Sequence, residues 1–307
     1  MHTVHDQLNR ADFNHACGAA KLALGTVQFG LRYGIANQNG QVSRPEAKAM
    51  LGLARAAHIE TLDTAIAYGE SEACLGEVGT EGFSVVTKLP ALPAHCSDVA
   101  AWVSQQASQS MERLGRTAVH GLLLHRSGDL LGPEGAALFR ALEVLKEIGQ
   151  VHKIGVSIYS PGELEVLSAR YRLDLVQAPF NLVDRRLYNT GWLQRLKDDG
   201  VEVHTRSVFL QGLLLMRQAD LPAKFAPWGH LWRRWHQWLS GHSISAVQAC
   251  LAYPLAIPEI DRIVVGADGL SQLEQIVRAA NVQATSAMPD LECQDERLIN
   301  PALWSNL

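Results

Sequence analysis

The chain has 307 residues, of which 47% are hydrophobic, and a formal net charge of −4 at pH 7. Such a chain can bury a large core, and α/β barrels of about 250 residues often form a single domain. The weak negative charge gives no reason to expect nucleic acid or an anionic membrane as a partner.

Short apolar segments alternate with longer amphipathic ones, which is typical of strands and helices in an α/β fold. The eight predicted strands cover residues 22–26, 61–63, 83–88, 119–124, 153–157, 173–178, 201–207 and 260–265. The clearest helices cover residues 45–57, 70–78, 98–114, 133–148, 186–198 and 271–280. Eight such units without an internal break predict a single-domain (β/α)8 TIM barrel. A doubly wound sheet is the alternative, but no Gly-x-Gly-x-x-Gly motif follows a strand.

Two segments lie outside this alternation. Residues 1–20 precede the first strand as an N-terminal extension, and residues 211–243 form an insertion between strands seven and eight. The insertion is rich in tryptophan, and Trp232, Trp235 and Trp238 recur at helical spacing. One interpretation is a helix that packs on the barrel. The other is a lid that offers an aromatic wall to a polar or sugar substrate.

Asp63, Tyr68, Lys88 and His125 stand at or just beyond the ends of successive predicted strands. The carboxyl ends of the strands meet on one face of a parallel barrel, so these side chains are expected to converge. Hydride reduction of a carbonyl builds negative charge on its oxygen, which then needs a proton donor. The Tyr68 phenol can be that donor, and the Lys88 ammonium, held by Asp63, can stabilise the phenolate. His125 can orient the carbonyl, while the hydride must come from a cofactor.

The segment Asp63-Thr64-Ala65-x-x-Tyr68-Gly69 resembles the most specific motif of the aldo-keto reductases. Lys88 and His125 follow at the positions expected for that family, and the resemblance extends from about residue 22 to residue 280. It implies a (β/α)8 barrel, a bound nicotinamide cofactor and a catalytic tetrad of Tyr68, Lys88, Asp63 and His125.

The resemblance also implies cofactor contacts at the ends of the later strands. Ser157 and Gln177 match residues that bind the nicotinamide carboxamide, although Ile158 replaces a common Asn. Arg206 occupies a position where many relatives place an aromatic residue against the nicotinamide ring, and a guanidinium can stack on a ring or bind an anion. The other contacts implied along the nicotinamide and pyrophosphate are Gly25, Thr26, Asp63, Ser207, Leu210 and Gly212.

The loop after strand eight resembles the adenosine end of the family's cofactor site. The implied contacts there are Gly266, Ala267, Asp268, Gln272 and Gln275. Relatives that prefer NADPH commonly offer Lys, Ser or Arg to its 2′-phosphate, whereas this chain has Gly266, Ala267 and Gln272. Asp268 can repel a phosphate or accept a hydrogen bond from a free 2′-hydroxyl. NADP(H) is the cofactor that the family implies, and NAD(H) is the alternative.

Cysteine usage and targeting signals favour the cytoplasm. The five cysteines are odd in number and include no Cys-x-x-Cys pair, so neither a disulfide framework nor a cysteine metal site is expected. No apolar run approaches the roughly 20 residues of a membrane span. The first residues lack a basic stretch leading into an apolar segment, so we expect no signal peptide.

The leading hypothesis is therefore an NAD(P)H-dependent reductase of an aldehyde, ketone or sugar. The segments 24–30 and 206–213 also resemble a bacterial subgroup often linked to sugar metabolism. Two alternatives stay open: a lyase that uses Lys88 as a Schiff-base nucleophile, and a barrel that binds nicotinamide as a sensor or accessory subunit. We expect a small-molecule partner and a monomer or weak homo-oligomer.

Overall fold

Eight parallel strands close into a barrel in chain order, and the last strand pairs with the first. The computed structural model describes residues 18–281 and 288–307, so most of the predicted N-terminal extension lies outside the described residues. The strands are β1 (Leu22–Gly25), β2 (Thr61–Asp63), β3 (Ser84–Leu89), β4 (Val119–Leu124), β5 (Val151–Ser157), β6 (Leu175–Pro179), β7 (Glu202–Arg206) and β8 (Arg262–Gly266). The predicted (β/α)8 fold is confirmed.

Helices follow the strands and cover the outside of the barrel. In the described ranges the α-helices are α1 (Val27–Gly30), α2 (Arg44–Ala56), α3 (Ser71–Val78), α4 (Val99–Leu114), α5 (Gly135–Glu147), α6 (Gly162–Leu167), α7 (Arg186–Asn189), α8 (Trp192–Asp198), α9 (Gly229–His242), α10 (Ala246–Leu255), α11 (Leu270–Ala280) and α12 (Glu296–Ile299). The single helix predicted over 186–198 is two helices, because Gly191 takes a left-handed φ of 77° between them. None of these helices combines the length and apolar character needed to span a membrane.

Two apolar clusters fill the structure. The larger one lies between the strands and the surrounding helices, and a small one consists of the buried side chains of Val86, Leu123 and Leu175. Side chains two residues apart on a strand share a face, so Lys88 follows Val86 on the same face of β3. The Lys88 side chain is fully buried. Beyond this apolar layer, toward the carboxyl ends of the strands, the interior side chains become polar. Active sites of such barrels lie at this end.

The tryptophan-rich insertion packs on the barrel as helix α9 and the short 3₁₀ helices that precede it. Trp228, Trp232 and Trp235 are buried, and their rings join the large apolar cluster. The indole of Trp232 donates to the Phe225 carbonyl and that of Trp235 to the Leu214 carbonyl, each at 3.0 Å. These contacts agree with the packing interpretation and not with an aromatic wall facing a substrate.

The amino ends of the strands form a polar cluster around Glu202. Its carboxylate is bonded by His204 at 2.6 Å, by Lys153 at 2.6 Å and by His120 at 3.0 Å. Burial raises the pKa of Glu202, but these three hydrogen bonds outweigh it and hold that pKa well below its usual range. This end of a barrel contributes to stability rather than to chemistry.

Candidate active site

Asp63 and Lys88 form a buried ion pair at the carboxyl ends of β2 and β3. The Lys88 ammonium donates to both oxygens of Asp63, at 2.8 and 2.7 Å, and to the Thr64 carbonyl at 3.0 Å. All three of its protons are therefore used. Burial lowers the pKa of Lys88, while the charge of Asp63 and its hydrogen bonds oppose that shift. The predicted pairing of Asp63 with Lys88 is present in the structure.

Tyr68 lies above this pair on the turn that follows β2. The Lys88 ammonium is 5.3 Å from the centroid of the Tyr68 ring, and no hydrogen bond joins the two side chains. Burial raises the pKa of the Tyr68 phenol, and the charge of Asp63 raises it further, while Arg206 lowers it. Burial is the largest influence on this pKa, so the phenol keeps its proton at neutral pH. The predicted role of Lys88 in stabilising the phenolate therefore concerns the moment at which the proton leaves, and the ammonium can act there only through its charge.

His125 completes the group from the end of β4. Its ring meets the Tyr68 ring edge to face, with centroids 5.6 Å apart. Burial lowers the pKa of His125 to about 4, and the cations Lys88 and Arg206 lower it in the same direction. At neutral pH the imidazole is therefore uncharged and can donate one hydrogen bond and accept another.

Ser157 on β5 and Gln177 on β6 extend the polar group around the barrel. The two residues are direct neighbours in the sheet register. The Gln177 amide donates to Asp63 Oδ2 at 2.7 Å, and the Ser157 hydroxyl lies 3.5 Å from the Gln177 oxygen. A chain of contacts thus joins Ser157, Gln177, Asp63 and Lys88, so that the groups predicted for acid chemistry and for amide binding form one network.

One cavity of about 640 Å³ opens at this end of the barrel. All the predicted site residues line it except Lys88, Leu210 and Ala267. Those that line it are Gly25, Thr26, Asp63, Tyr68, His125, Ser157, Gln177, Arg206, Ser207, Gly212, Gly266, Asp268, Gln272 and Gln275. The cavity runs from the phenol and imidazole to the loop after β8, so a long ligand can reach both ends.

Comparison with known proteins agrees with this geometry. A model described as "Aldo/keto reductase family" matches residues 21–290. The chain belongs to the aldo/keto reductase family. The resemblance carried by the motif from Asp63 to Gly69 is thus confirmed, and the membership supports an oxidoreductase enzyme.

Individual relatives are distant. An oxidoreductase of Bacillus subtilis (strain 168), YqkF, itself described as uncharacterized, is 23% identical over 192 residues, which are 60% of this chain and 61% of that protein. Among solved structures, the aldo-keto reductase AKR11C1 from Bacillus halodurans in its holo form has a TM-score of 0.70 at 19% identity. The match covers 88% of this chain and 89% of that one. Its apo form has a TM-score of 0.65 at 21% identity, over 80% and 84% of the two chains. These structures support the fold.

Three predicted residues of this aldo/keto reductase barrel have structural surroundings that the sequence did not indicate. The Thr26 hydroxyl lines the cavity but donates to the Asp63 carbonyl at 3.0 Å, so it holds the β2 end in place. The side chains of Leu210 and Ala267 are buried in the large apolar cluster. Any contact that Leu210 or Ala267 makes with a ligand must therefore involve the backbone.

The segment after β7 has an unusual backbone. Ser207, Leu210 and Gln211 have φ angles of 64°, 48° and 52°, and Gly212 has 87°. Residues other than glycine rarely adopt this left-handed region, which costs about 1 kcal/mol or more per residue. Such loops turn successive N–H groups toward one side and form concave sites for anions. This agrees with the predicted pyrophosphate contact, although Leu210, unlike Ser207 and Gly212, is not a small residue.

Asp268, at the far end of the cavity, is held on both sides. The Asn37 amide donates to its Oδ1 at 3.1 Å, and the Gln272 amide lies 3.4 Å from its Oδ2. The backbone N–H of Asp268 donates to the Gln272 side chain at 2.8 Å. Among the described residues, no lysine lines the cavity, and Arg206 is the one arginine that does. The carboxylate is thus fixed where a ribose is expected.

Sequence reasoning missed several lining residues, of which Gln28 and Tyr33 are the most informative. Gln28 is buried beside Gly266, where an added Cβ would lie 2.7 Å from the Gln28 side-chain nitrogen. Its Oε1 has no hydrogen-bond partner among the described residues. An unpaired buried acceptor costs about 1 to 3 kcal/mol, so a ligand that donates to it would be stabilised here. The Tyr33 hydroxyl accepts from the Gln211 amide at 3.1 Å across the mouth of the cavity.

Proposed function

We propose that this chain is an NAD(P)H-dependent carbonyl reductase in which Tyr68 donates the proton. One observation carries the proposal: Tyr68 and His125 face the same cavity as Ser157 and Gln177. A protonated phenol and a neutral imidazole thus share a space with an amide and a hydroxyl suited to a carboxamide. The orphaned Gln28 acceptor and the left-handed loop after β7 give further donors and acceptors along the same cavity. These features fit a dinucleotide.

Each residue of the site has a separate part in this reaction. Burial keeps the Tyr68 phenol protonated, so it can give its proton to the oxygen of a bound carbonyl. The neutral His125 can donate a hydrogen bond to the same oxygen and fix its position. Lys88 acts on the ring of Tyr68 through its charge and stabilises the phenolate as it forms. A bound nicotinamide supplies the hydride.

The adenosine end of the cavity favours NAD(H) over NADP(H). Asp268 presents a fixed negative charge, and in the described part of the chain no lysine or second arginine lines the cavity to balance the 2′-phosphate of NADPH. A carboxylate accepts well from a free ribose hydroxyl and repels a phosphate. Ser157 and Gln177 would hold the nicotinamide end, and Ser207 to Gly212 the pyrophosphate.

The Schiff-base alternative finds no support in the geometry. Lys88 does not line the cavity, its side chain is fully buried, and its three protons are bonded to Asp63 and Thr64. A nucleophilic lysine must be accessible and must lose its proton. Borohydride in the presence of a carbonyl substrate is therefore expected to leave Lys88 unmodified.

The test supplies aldehydes, diketones and aldoses one at a time as substrates. Oxidation of NADH or of NADPH is followed by the fall in absorbance. The wild type is expected to turn over at least one class, and Tyr68→Phe is expected to lose turnover while it still binds cofactor. Tyr68→Phe removes only the hydroxyl and keeps a ring against His125, so a loss of turnover reports on the hydroxyl alone. Full activity of that variant would refute the proton-donor role. Cofactor binding without turnover across the panel would favour a sensor.

A further inference from the structure

Arg206 brings an unbalanced positive charge into the cavity. It is half-buried at the end of β7 and lines the cavity, and no carboxylate of the described residues lies within ion-pair distance of it. Among the described residues, Asp63 and Asp268 are the carboxylates that line the cavity. Asp63 is paired with Lys88, and Asp268 lies at the far end, in the loop after β8. The charge of Arg206 is therefore free to act on whatever the cavity holds.

The guanidinium is fixed in place. It donates to the Ile158 carbonyl at 2.9 Å, lies 3.4 Å from the Ser207 hydroxyl, and stands 4.8 Å from the centroid of the Tyr159 ring. These partners use two of its five N–H groups and are all uncharged. Because the side chain is anchored by neutral groups, its charge has a defined position without being neutralised.

Arg206 lines the same cavity as Tyr68 and His125. Arg206 lowers the pKa values of Tyr68, His125 and Lys88, so its field reaches each member of the group around the phenol. A carbonyl oxygen that takes a proton from Tyr68 lies next to that phenol. The hydride donor must then stand about 3 to 3.5 Å from the carbonyl carbon. A hydride donor bound in this cavity would share it with Arg206.

We propose that Arg206 makes this site discriminate between the redox forms of its nicotinamide, binding the reduced form and rejecting the oxidised form. The inference rests on the proposed function. Hydride transfer moves two electrons and one proton from the ring to the carbonyl carbon, and Tyr68 protonates the oxygen. The nicotinamide ring is neutral before the transfer and carries one positive charge after it. A fixed cation nearby therefore disfavours the oxidised ring and leaves the reduced ring almost unaffected.

The consequence for turnover is rapid loss of the spent cofactor. Repulsion between two unit charges in a partly screened site is enough to change a binding ratio about tenfold. Oxidised cofactor should consequently compete weakly with reduced cofactor, and the enzyme should resist product inhibition during carbonyl reduction. The same repulsion disfavours use of the site for alcohol oxidation.

The experiment measures dissociation constants of NADH and NAD⁺, and of NADPH and NADP⁺, by fluorescence titration without substrate. It compares the wild type with Arg206→Gln, which removes the charge, and with Arg206→Lys, which keeps it. We expect Arg206→Gln to tighten binding of the oxidised form and to lower the oxidised-to-reduced ratio of dissociation constants about tenfold. Arg206→Lys should keep most of the wild-type ratio. Near-ultraviolet circular dichroism of each variant checks that the site is folded.

Three results would overturn the proposal. Equal weakening of both redox forms in Arg206→Gln would make Arg206 a pyrophosphate ligand. Unchanged constants with a raised KM for carboxylate-bearing carbonyls alone would make it a substrate-anion ligand. Equal dissociation constants for the oxidised and reduced cofactor in the wild type would show that the site does not discriminate between them. Carbonyl turnover by the wild type is measured in parallel, so these failures leave the proposed function standing, whereas a chain that binds no nicotinamide loses both.

Discussion

The ammonium of Lys88 lies against the ring of Tyr68, 5.3 Å from its centroid, and its protons are directed elsewhere. The lysine thus contributes charge rather than a hydrogen bond to the phenol. Asp63 neutralises part of that charge, so the pair acts as a buried dipole beneath the proton donor. The contribution of the Lys88–Asp63 pair to stability and its contribution to catalysis can be measured separately.

Lys88→Met is expected to lower kcat about a hundredfold or more, because phenolate formation loses its nearby cation. It should also lower the free energy of unfolding by about 3 to 5 kcal/mol, since the buried Asp63 carboxylate loses its counter-ion and keeps only neutral donors such as the Gln177 amide. The double variant Asp63→Asn with Lys88→Met removes both charges and should recover most of the stability but little of the activity. Urea denaturation and steady-state kinetics measure the two effects. Recovery of activity together with stability would contradict a role for the Lys88 charge.

His125 should make the fold acid-sensitive. Its pKa is about 4 in the folded chain, whereas an unperturbed histidine, as in the unfolded chain, has a pKa of 6.5. The unfolded chain therefore binds the proton more readily. The stability linked to the neutral imidazole is present above about pH 6.5 and is lost as the pH falls toward 4. Between about pH 7 and about pH 5 the wild type should lose about 2 kcal/mol more than His125→Gln does. Urea denaturation of both proteins at the two pH values tests this, and parallel losses would contradict it.

Asp268→Asn should shift cofactor preference toward NADPH. The substitution keeps the shape and an acceptor for the Asn37 amide but removes the charge that repels a 2′-phosphate. We expect the ratio of kcat/KM for NADH over NADPH to fall about tenfold. Ala267→Lys is a poor test of the same idea, because Ala267 is buried and a lysine there would disturb the core. An unchanged ratio in Asp268→Asn would discard the role of Asp268.

Glu202→Gln should affect stability without affecting catalysis. The carboxylate accepts from His120, Lys153 and His204 at the amino ends of the strands, away from the cavity of Tyr68. Removing its charge should cost about 2 to 3 kcal/mol of unfolding free energy, because the hydrogen bonds lose their charged acceptor. Denaturant titration and kinetics are compared with the wild type. A fall in kcat with unchanged stability would mean that the two ends of the barrel are coupled.

The sequence predicted the parts of the site that depend on strand order. The ends of parallel strands converge in any closed barrel, so Asp63, Tyr68, Lys88 and His125 could be placed together from the alternation of segments alone. The motif from Asp63 to Gly69 then added the family. The ion pair of Asp63 with Lys88 follows from the same reasoning, because neither charge is stable in the interior without the other.

The remaining features depend on packing that no local pattern specifies. The direction of the Tyr68 pKa shift is set by how completely the surrounding chain removes water. Leu210 and Ala267 follow predicted strand ends, yet their backbones direct the side chains into the core. Gln28 and Asn37 come from the connection between β1 and α2, where no sequence pattern indicates which groups their side chains contact. Their contribution appears only when β8 is folded beside β1.

The contact between Tyr33 and Gln211 has a kinetic meaning. It joins the connection after β1 to the loop after β7 above the cavity, and Gly212 supports it because a Cβ there would lie 2.6 Å from that of Ala36. Tyr33 and Gln211 both line the cavity, so a dinucleotide that extends along it would pass this contact on entering and on leaving, whereas a small carbonyl compound would not need to. We expect a compulsory order of addition, with the nucleotide entering first and leaving last.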